Sequence, residues 1–205
     1  RMANLAVIGS HSVNGVSQMH AKLLREQLMP HFAEVFPDRF HGITNGVTPR
    51  RWLLGANPEL SKLITKTIGD GWISDLDQLK GLEPYAQDGS FRDAFAEAKL
   101  TAKKRLAKWV MQELQIQIDP TSLFDIQVKR IHEYKRQLLN LMHVAWLYGR
   151  MREDPGFLPT PRVVIFAGKA APGYERAKDV IKAINSVADI VNSYRSIDGR
   201  LKVVF

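Results

Sequence analysis

Four cations, Lys129, Arg130, Lys135 and Arg136, crowd into residues 129–136 with Glu133 as the one carboxylate among them. Such crowding is repulsive unless an anion offsets it, and phosphate is the natural candidate. Residues 124–128 alternate Phe-Asp-Ile-Gln-Val, which predicts a strand with Phe124, Ile126 and Val128 on one side and Asp125, Gln127 and Lys129 on the other. After the cluster, Leu138, Leu139, Leu141, Met142 and Ala145 recur at helical spacing. His132 to Arg136 are therefore expected in the first turns of a helix, where free N–H groups and the helix dipole favour an anion. The plain alternative is a solvated charged face. A place at the carboxyl end of a strand, where open α/β sheets bind ligands, favours an oxyanion site, and Tyr134 adds a hydroxylated ring to it.

The elements that must hold this cluster read as an α/β chain. Val163-Val164-Ile165-Phe166-Ala167 is a continuous apolar run, as expected of a strand inside a parallel sheet. Gly168 to Gly173 turns into a helix carrying Ile181, Ile184, Val187, Ala188 and Val191, and Leu201 to Phe205 reads as the next strand. Strand, helix, strand, helix, strand from residue 123 onward is a Rossmann-like half. No Gly-x-Gly-x-x-Gly occurs, so a dinucleotide fingerprint is not supported.

Upstream, Leu5-Ala6-Val7-Ile8 is expected as a buried strand, followed by a loop and a helix with Val16, Met19, His20, Leu23, Leu24 and Leu28 on one face, ended by Pro30. Residues 42–49 have the Asn-Gly and Thr-Pro punctuation of a fixed loop, and a domain crossing is expected there. Helices are expected over 58–68, 74–82 and 90–114, with a capping box at Ser74 and the longest helix starting at Ser90. Phe91, Phe95, Ala98, Ala102, Leu106, Trp109, Val110 and Leu114 form an apolar stripe along that helix. Lys99, Lys103, Lys104, Arg105 and Lys108 read as its solvated face.

With 45% apolar residues the chain can bury a core, and its formal charge of +8 suits anionic partners without choosing among them. Zero cysteines exclude disulfides, and with six scattered histidines they argue against a metal site. No apolar run approaches the ~20 residues of a membrane span and the start lacks signal-peptide character, so a cytoplasmic setting without membrane contact is expected. Strands expected almost at both ends lead to the expectation of an internal piece of a longer protein.

Four stretches together resemble one family. Val128-Lys129-Arg130-Ile131-His132-Glu133-Tyr134-Lys135-Arg136-Gln137, Thr44-Asn45-Gly46-Val47-Thr48-Pro49-Arg50-Arg51-Trp52, Ile73-Ser74-Asp75-Leu76-Asp77-Gln78-Leu79 and Gly168-Lys169-Ala170-Ala171-Pro172-Gly173-Tyr174 are similar, in order, to segments of the α-glucan phosphorylases. The resemblance runs over essentially the whole chain. It implies a partial GT-B architecture in which residues 1–48 end an N-terminal glucan-binding domain and 49–205 begin a C-terminal domain that binds pyridoxal phosphate. It also implies a homodimeric parent that reversibly phosphorolyses terminal α-1,4 bonds of a glucan to glucose 1-phosphate. The cofactor's phosphate relays a proton to and from substrate phosphate, so two phosphates carrying about three negative charges must sit together. Several cations are needed to offset that repulsion.

Carried over by motif, Lys129 would contact the cofactor phosphate and Trp52 would pack near the cofactor. Arg130 and Lys135 would hold substrate phosphate as the catalytic pair, with Tyr134 by the sugar hydroxyls and Asn45 and Val16 lining the glucosyl pocket. Tyr174 would lie at the cleft entrance, and His132 and Arg136 would serve structure. The family's Schiff-base lysine lies in a Gly-Thr-Gly-Asn-Met-Lys segment, which does not occur here, so these 205 residues alone are expected to be inactive. Two other classes stay open: a sugar-nucleotide glycosyltransferase of similar fold, and a basic nucleic-acid-binding module, which would show steeply salt-dependent binding.

Overall fold

The structure, a computed structural model, describes residues 2–158, 160–194 and 199–205. It divides into two compact units, one made of the chain up to Pro58 with Gly69–Leu79, the other of Glu59–Ile68 with Lys80–Phe205.

In the first unit, α1 (Met2–Gly9) stands where residues 4–8 were expected to form a strand. A short apolar run does not by itself separate strand from helix. What settles it here is the end of the run. Arg39 donates through Nη1 to the carbonyls of Val7, Ile8 and Ser10, at 3.2, 3.3 and 2.9 Å, and the Ser10 hydroxyl donates to the Ala6 carbonyl. The last carbonyls of a helix lack partners within it, and a guanidinium supplies them. Strand β1 (Val13–Gly15) pairs in parallel with β2 (Phe40–Gly42).

The expected amphipathic helix over 16–28 is shorter, with α2 (Gln18–Leu23) capped by Ser17 and followed by a wider π turn over Leu24–Leu28. Its supposed core face is largely in solvent, for Val16, Met19, Leu23 and Leu28 are exposed and Ala21 is buried instead. Gly15 explains this packing, since a Cβ there would collide with the backbone of Ala21. The helical run ends at Leu28, just before Pro30 as expected, and Pro30 itself opens α3 (Pro30–Val35), the first-turn position where a missing N–H costs nothing.

In the second unit, α4 (Pro58–Ile68) is joined to it from Glu59 onward. Ser74, which belongs to the first unit, starts no capping box; the 3₁₀ turns Gly71–Ile73 and Leu76–Gln87 flank it, and its hydroxyl donates to the Gly71 carbonyl at 3.2 Å. The longest helix, α5 (Gly89–Leu114), is capped not by Ser90 but by Asp88, whose carboxylate accepts from the Phe91 N–H at 2.9 Å. Of its apolar stripe, Ala98 and Val110 are buried while Phe95, Trp109 and Leu114 are exposed.

From Leu123 the expected alternation appears as β3 (Leu123–Val128), α6 (Gln137–Glu153), β4 (Arg162–Ala167), α7 (Glu175–Ser193) and β5 (Leu201–Val204). The strands are parallel in the order β3-β4-β5. Val164, Phe166, Leu201 and Val203 pack with Leu141, Val144, Leu147 and Met151 of α6 and Ile184, Ala188 and Val191 of α7. Val163, Ile165 and Val204 face the other way, against Val110 of α5 and Ile118. Strands β4 and β5 are thus covered on both faces, as their continuous apolar runs require, whereas Leu123, Ile126 and Val128 of β3 are exposed. Among the described residues no helix is long and apolar enough to cross a membrane.

Candidate oxyanion site at the carboxyl ends of β3 and β4

Where β3 and β4 end, their pairing continues into the loops that follow. Lys129 N–H donates to the Ala167 carbonyl at 2.9 Å and Ile131 N–H to the Lys169 carbonyl at 3.0 Å. Gly168 sits between these bonds, and a Cβ on it would collide with the Lys129 carbonyl and lie 3.4 Å from the Arg130 Cα. The two loops can run this close only because that residue has no side chain.

The cationic stretch is not the first turns of α6. His132 caps a 3₁₀ turn over Glu133–Lys135, and Arg136 adopts the left-handed conformation at φ 60°, ψ 36° before α6 begins at Gln137. Arg136 is the N-cap of α6, so the cations at 129–135 precede the helix rather than form its first turns. Side-chain amides hold the loop instead. Gln137, buried at 1% exposure, donates to the Arg130 carbonyl at 3.1 Å and accepts from the His132 N–H at 3.4 Å. Gln127 donates to the Lys135 carbonyl at 2.9 Å, and Asn140 donates to the Gln127 oxygen at 3.0 Å. Both ends of the loop are therefore pinned through the main chain, leaving the side chains of Arg130 and Lys135 free of that task.

Around this loop lie two cavities of different charge. One, of about 430 Å³, is lined by Arg130, Lys135, Tyr134, Lys169 and Tyr174 together with small residues of 170–172, and no carboxylate lines it. Neither Arg130 nor Lys135 forms an ion pair among the described residues; the Lys135 ammonium lies 5.6 Å from the Tyr134 ring centroid, a cation–π distance. The other cavity, of about 390 Å³, is lined by Glu133, Arg176 and Asp179 among apolar residues of α6 and α7. Glu133 is held there: the Tyr174 hydroxyl donates to it at 2.6 Å and Arg176 lies 3.6 Å away. His132 packs between Tyr134 and Tyr174, at 4.6 and 5.1 Å between ring centroids. Hydrogen bonding to the Glu133 carboxylate holds the Tyr174 phenol above its ordinary pKa, since that bond favours the protonated form.

Of the residues singled out from sequence, Arg130, Lys135 and Tyr134 meet at the first cavity. Lys129 is exposed at the end of β3 and does not line that cavity. Val16, Asn45 and Trp52 belong to the first unit. There Val16 borders an open apolar cavity with Leu23, Leu24 and Leu28, Asn45 lies in the exposed loop after β2, and Trp52 is 67% exposed in a π turn over Arg50–Gly55. Sequence reasoning missed Lys169, Gln127, Gln137 and Asn140. The lysine stood in a quoted motif with its charge unused, whereas the amides carried no signal beyond their polarity.

The family model described as carbohydrate phosphorylase matches residues 1–205. This chain belongs to the carbohydrate phosphorylase family. It is 51% identical over 205 residues to a glycogen phosphorylase of Synechocystis sp.. It is 47% identical over 204 residues to the liver form of glycogen phosphorylase of Homo sapiens and 47% identical over 205 residues to the glycogen phosphorylase of Bacillus subtilis. All of the chain is covered in each case, but only 24%, 24% and 26% of those relatives. The chain thus spans about a quarter of the length of these phosphorylases.

Proposed function

We propose that these 205 residues are the phosphate-holding part of an α-glucan phosphorylase of GT-B architecture, whose full-length form reversibly phosphorolyses terminal α-1,4 bonds of glycogen or a related glucan to glucose 1-phosphate. The observation that carries this reading is the carboxylate-free cavity at the carboxyl ends of β3 and β4, on which unpaired Arg130 and Lys135 converge. The names of the relatives supply the glucan. In this reading residues 1–48 end the N-terminal domain and 49–205 begin the C-terminal one; the parent is a cytoplasmic homodimer that binds neither nucleic acid nor membrane.

The chemistry asked of the chain is to hold phosphate, orient it and screen its charge. Arg130 can engage two phosphate oxygens at once, while Lys135 acts as a compact point charge whose direction is set by the Tyr134 ring. Because Gln137 and Gln127 hold the loop by its carbonyls, the cations are positioned before ligand arrives, which lowers the ordering cost of binding. A cavity of unpaired cations fits the phosphate of pyridoxal phosphate as well as that of the substrate. Lys129 is assigned to the cofactor phosphate and Trp52 to the cofactor ring, with Tyr134 on sugar hydroxyls and Asn45 and Val16 on the glucosyl unit. When bound, the cofactor supplies a phosphate that gives and takes a proton.

The test is phosphorolysis of glycogen by the full-length protein. Arg130→Ala and Lys135→Ala should each lower kcat/KM for inorganic phosphate by about a hundredfold or more, the scale of losing a charged contact in a preorganised site. Wild-type protein that transfers glucose from a nucleotide sugar and ignores phosphate would overturn the reading.

A further inference from the structure

The charge on the first cavity is not exhausted by Arg130 and Lys135. Lys169 comes to the same cavity from the other strand, following Gly168 at the end of β4. Its place is tightly determined. The Ile131 N–H bonds its carbonyl, and Gly168 lies against the Lys129 backbone, so Lys169 is registered beside 130–131 with no slack in between. Ala170, Ala171 and Pro172 follow it along the cavity wall, short side chains that leave the space unfilled.

Lys169 has no ion pair or hydrogen bond from its ammonium among the described residues, and no carboxylate borders the cavity. The nearest acid along the loop, Glu133, is drawn to the second cavity by Tyr174 and Arg176. Three cations thus converge from two strand ends on a space from which negative charge has been sorted away. Each raises the electrostatic cost of the others, and a multivalent anion is the occupant that reverses the sign of that cost.

We propose that Lys169 is a third anion-holding residue of this cavity, binding a phosphate oxygen from the β4 side while Arg130 and Lys135 bind from the β3 side. This rests on the reading of the cavity as a phosphate site. A third cation suits phosphate in its dianionic form better than two, because the pair alone leaves the dianion neutralised without any excess field to draw it in. Lys169 would therefore raise affinity for phosphate without touching the glucan.

The experiment uses the full-length protein, with inorganic phosphate as probe in the direction of glycogen breakdown. Lys169→Ala and Lys169→Arg are compared with wild type and with Arg130→Ala. Lys169→Ala should raise KM for phosphate by about tenfold, the loss of one charge-assisted contact, with KM for glycogen unchanged. Lys169→Arg should recover most of it, since charge rather than shape is being supplied. Added salt should weaken phosphate binding less steeply in Lys169→Ala than in wild type. An unchanged phosphate KM in Lys169→Ala, with Arg130→Ala impaired, would overturn the role of Lys169 alone. Equal loss of phosphate and glycogen affinity without rescue by arginine would mean a structural lysine and would overturn it too. If Arg130→Ala also binds phosphate normally, the reading of the whole cavity fails.

Discussion

The side-chain amide of Gln137 holds the main-chain carbonyl of Arg130 at 3.1 Å, linking the buried first residue of α6 to the cationic loop that precedes it. Replacing Gln137 by Leu keeps the volume but leaves the Arg130 carbonyl and the His132 N–H without their partner. Unmade buried hydrogen bonds cost about 1–3 kcal/mol each, and here the cost falls on the loop, because the apolar side of α6 is untouched. The expected outcome is faster amide exchange across 130–136 in hydrogen-exchange mass spectrometry of the full-length protein, with the α7 and β5 amides unaltered. Exchange in the loop at the wild-type rate would mean that the amide does not restrain it.

That relationship also marks where sequence stops being legible. The strand–helix alternation from Leu123 onward could be read because each element buries a face, so Val164 and Phe166 or Ile184 and Val191 announce themselves by apolar period. The convergence of Arg130 and Lys135 on one cavity was visible as a charge cluster after a strand. Their support was not. Arg136 needed a left-handed backbone that its residue type does not advertise, and this moved the start of α6 past the cluster. Gln127 and Gln137 are polar residues in a pattern that marks polar residues as outward-facing, yet both turn to main-chain carbonyls. The expected strand at 4–8 failed because its ending depends on Arg39, about thirty residues away, and no local pattern contains that contact.

The Tyr174–Glu133 hydrogen bond makes a prediction about alkaline pH. The carboxylate raises the phenol pKa, so the folded-state value lies above the unfolded one. The bond therefore contributes its full stabilisation below the usual tyrosine pKa of about 10 and loses it as pH rises through the higher folded value. Titration of tyrosine absorbance near alkaline pH should contain a late-ionising component that disappears in Tyr174→Phe and moves back toward the ordinary range in Glu133→Gln. If all tyrosines ionise together in the wild type, the bond does not persist in solution.

Asp88 should show the opposite sign. The Ser90 hydroxyl, and then the Phe91 N–H, hold its carboxyl below the ordinary aspartate range. A depressed pKa means stabilisation that is present above the unfolded value and lost as pH falls through the folded one. The first turn of α5 should fray on acidification in wild type and be frayed already at neutral pH in Asp88→Ala, read as exchange of the Phe91 amide. Asp88→Ser, which retains a cap oxygen, should restore protection at neutral pH and remove its acid sensitivity. Acid sensitivity surviving in Asp88→Ser would assign it to another group.

Gly168 is where fold and proposed chemistry meet, because the same close approach that packs the two loops places Lys169 beside Arg130. A methyl group at 168 meets the Lys129 carbonyl, which is backbone and is already fixed by β3–β4 pairing on either side. Neither chain can yield without breaking the bond from Lys129 to Ala167 or that from Ile131 to Lys169. Forcing a methyl into such a contact costs about 1–3 kcal/mol, and the loops are the part free to move. Gly168→Ala should therefore retain the β4 and β5 core while spreading the cations apart, raising KM for phosphate more than KM for glycogen in the full-length protein. The Lys169→Ala change made on top of Gly168→Ala should then cost less than it does in wild type, since a lysine already displaced has less to lose. Strict additivity of the two would show that the glycine does not act through the position of Lys169.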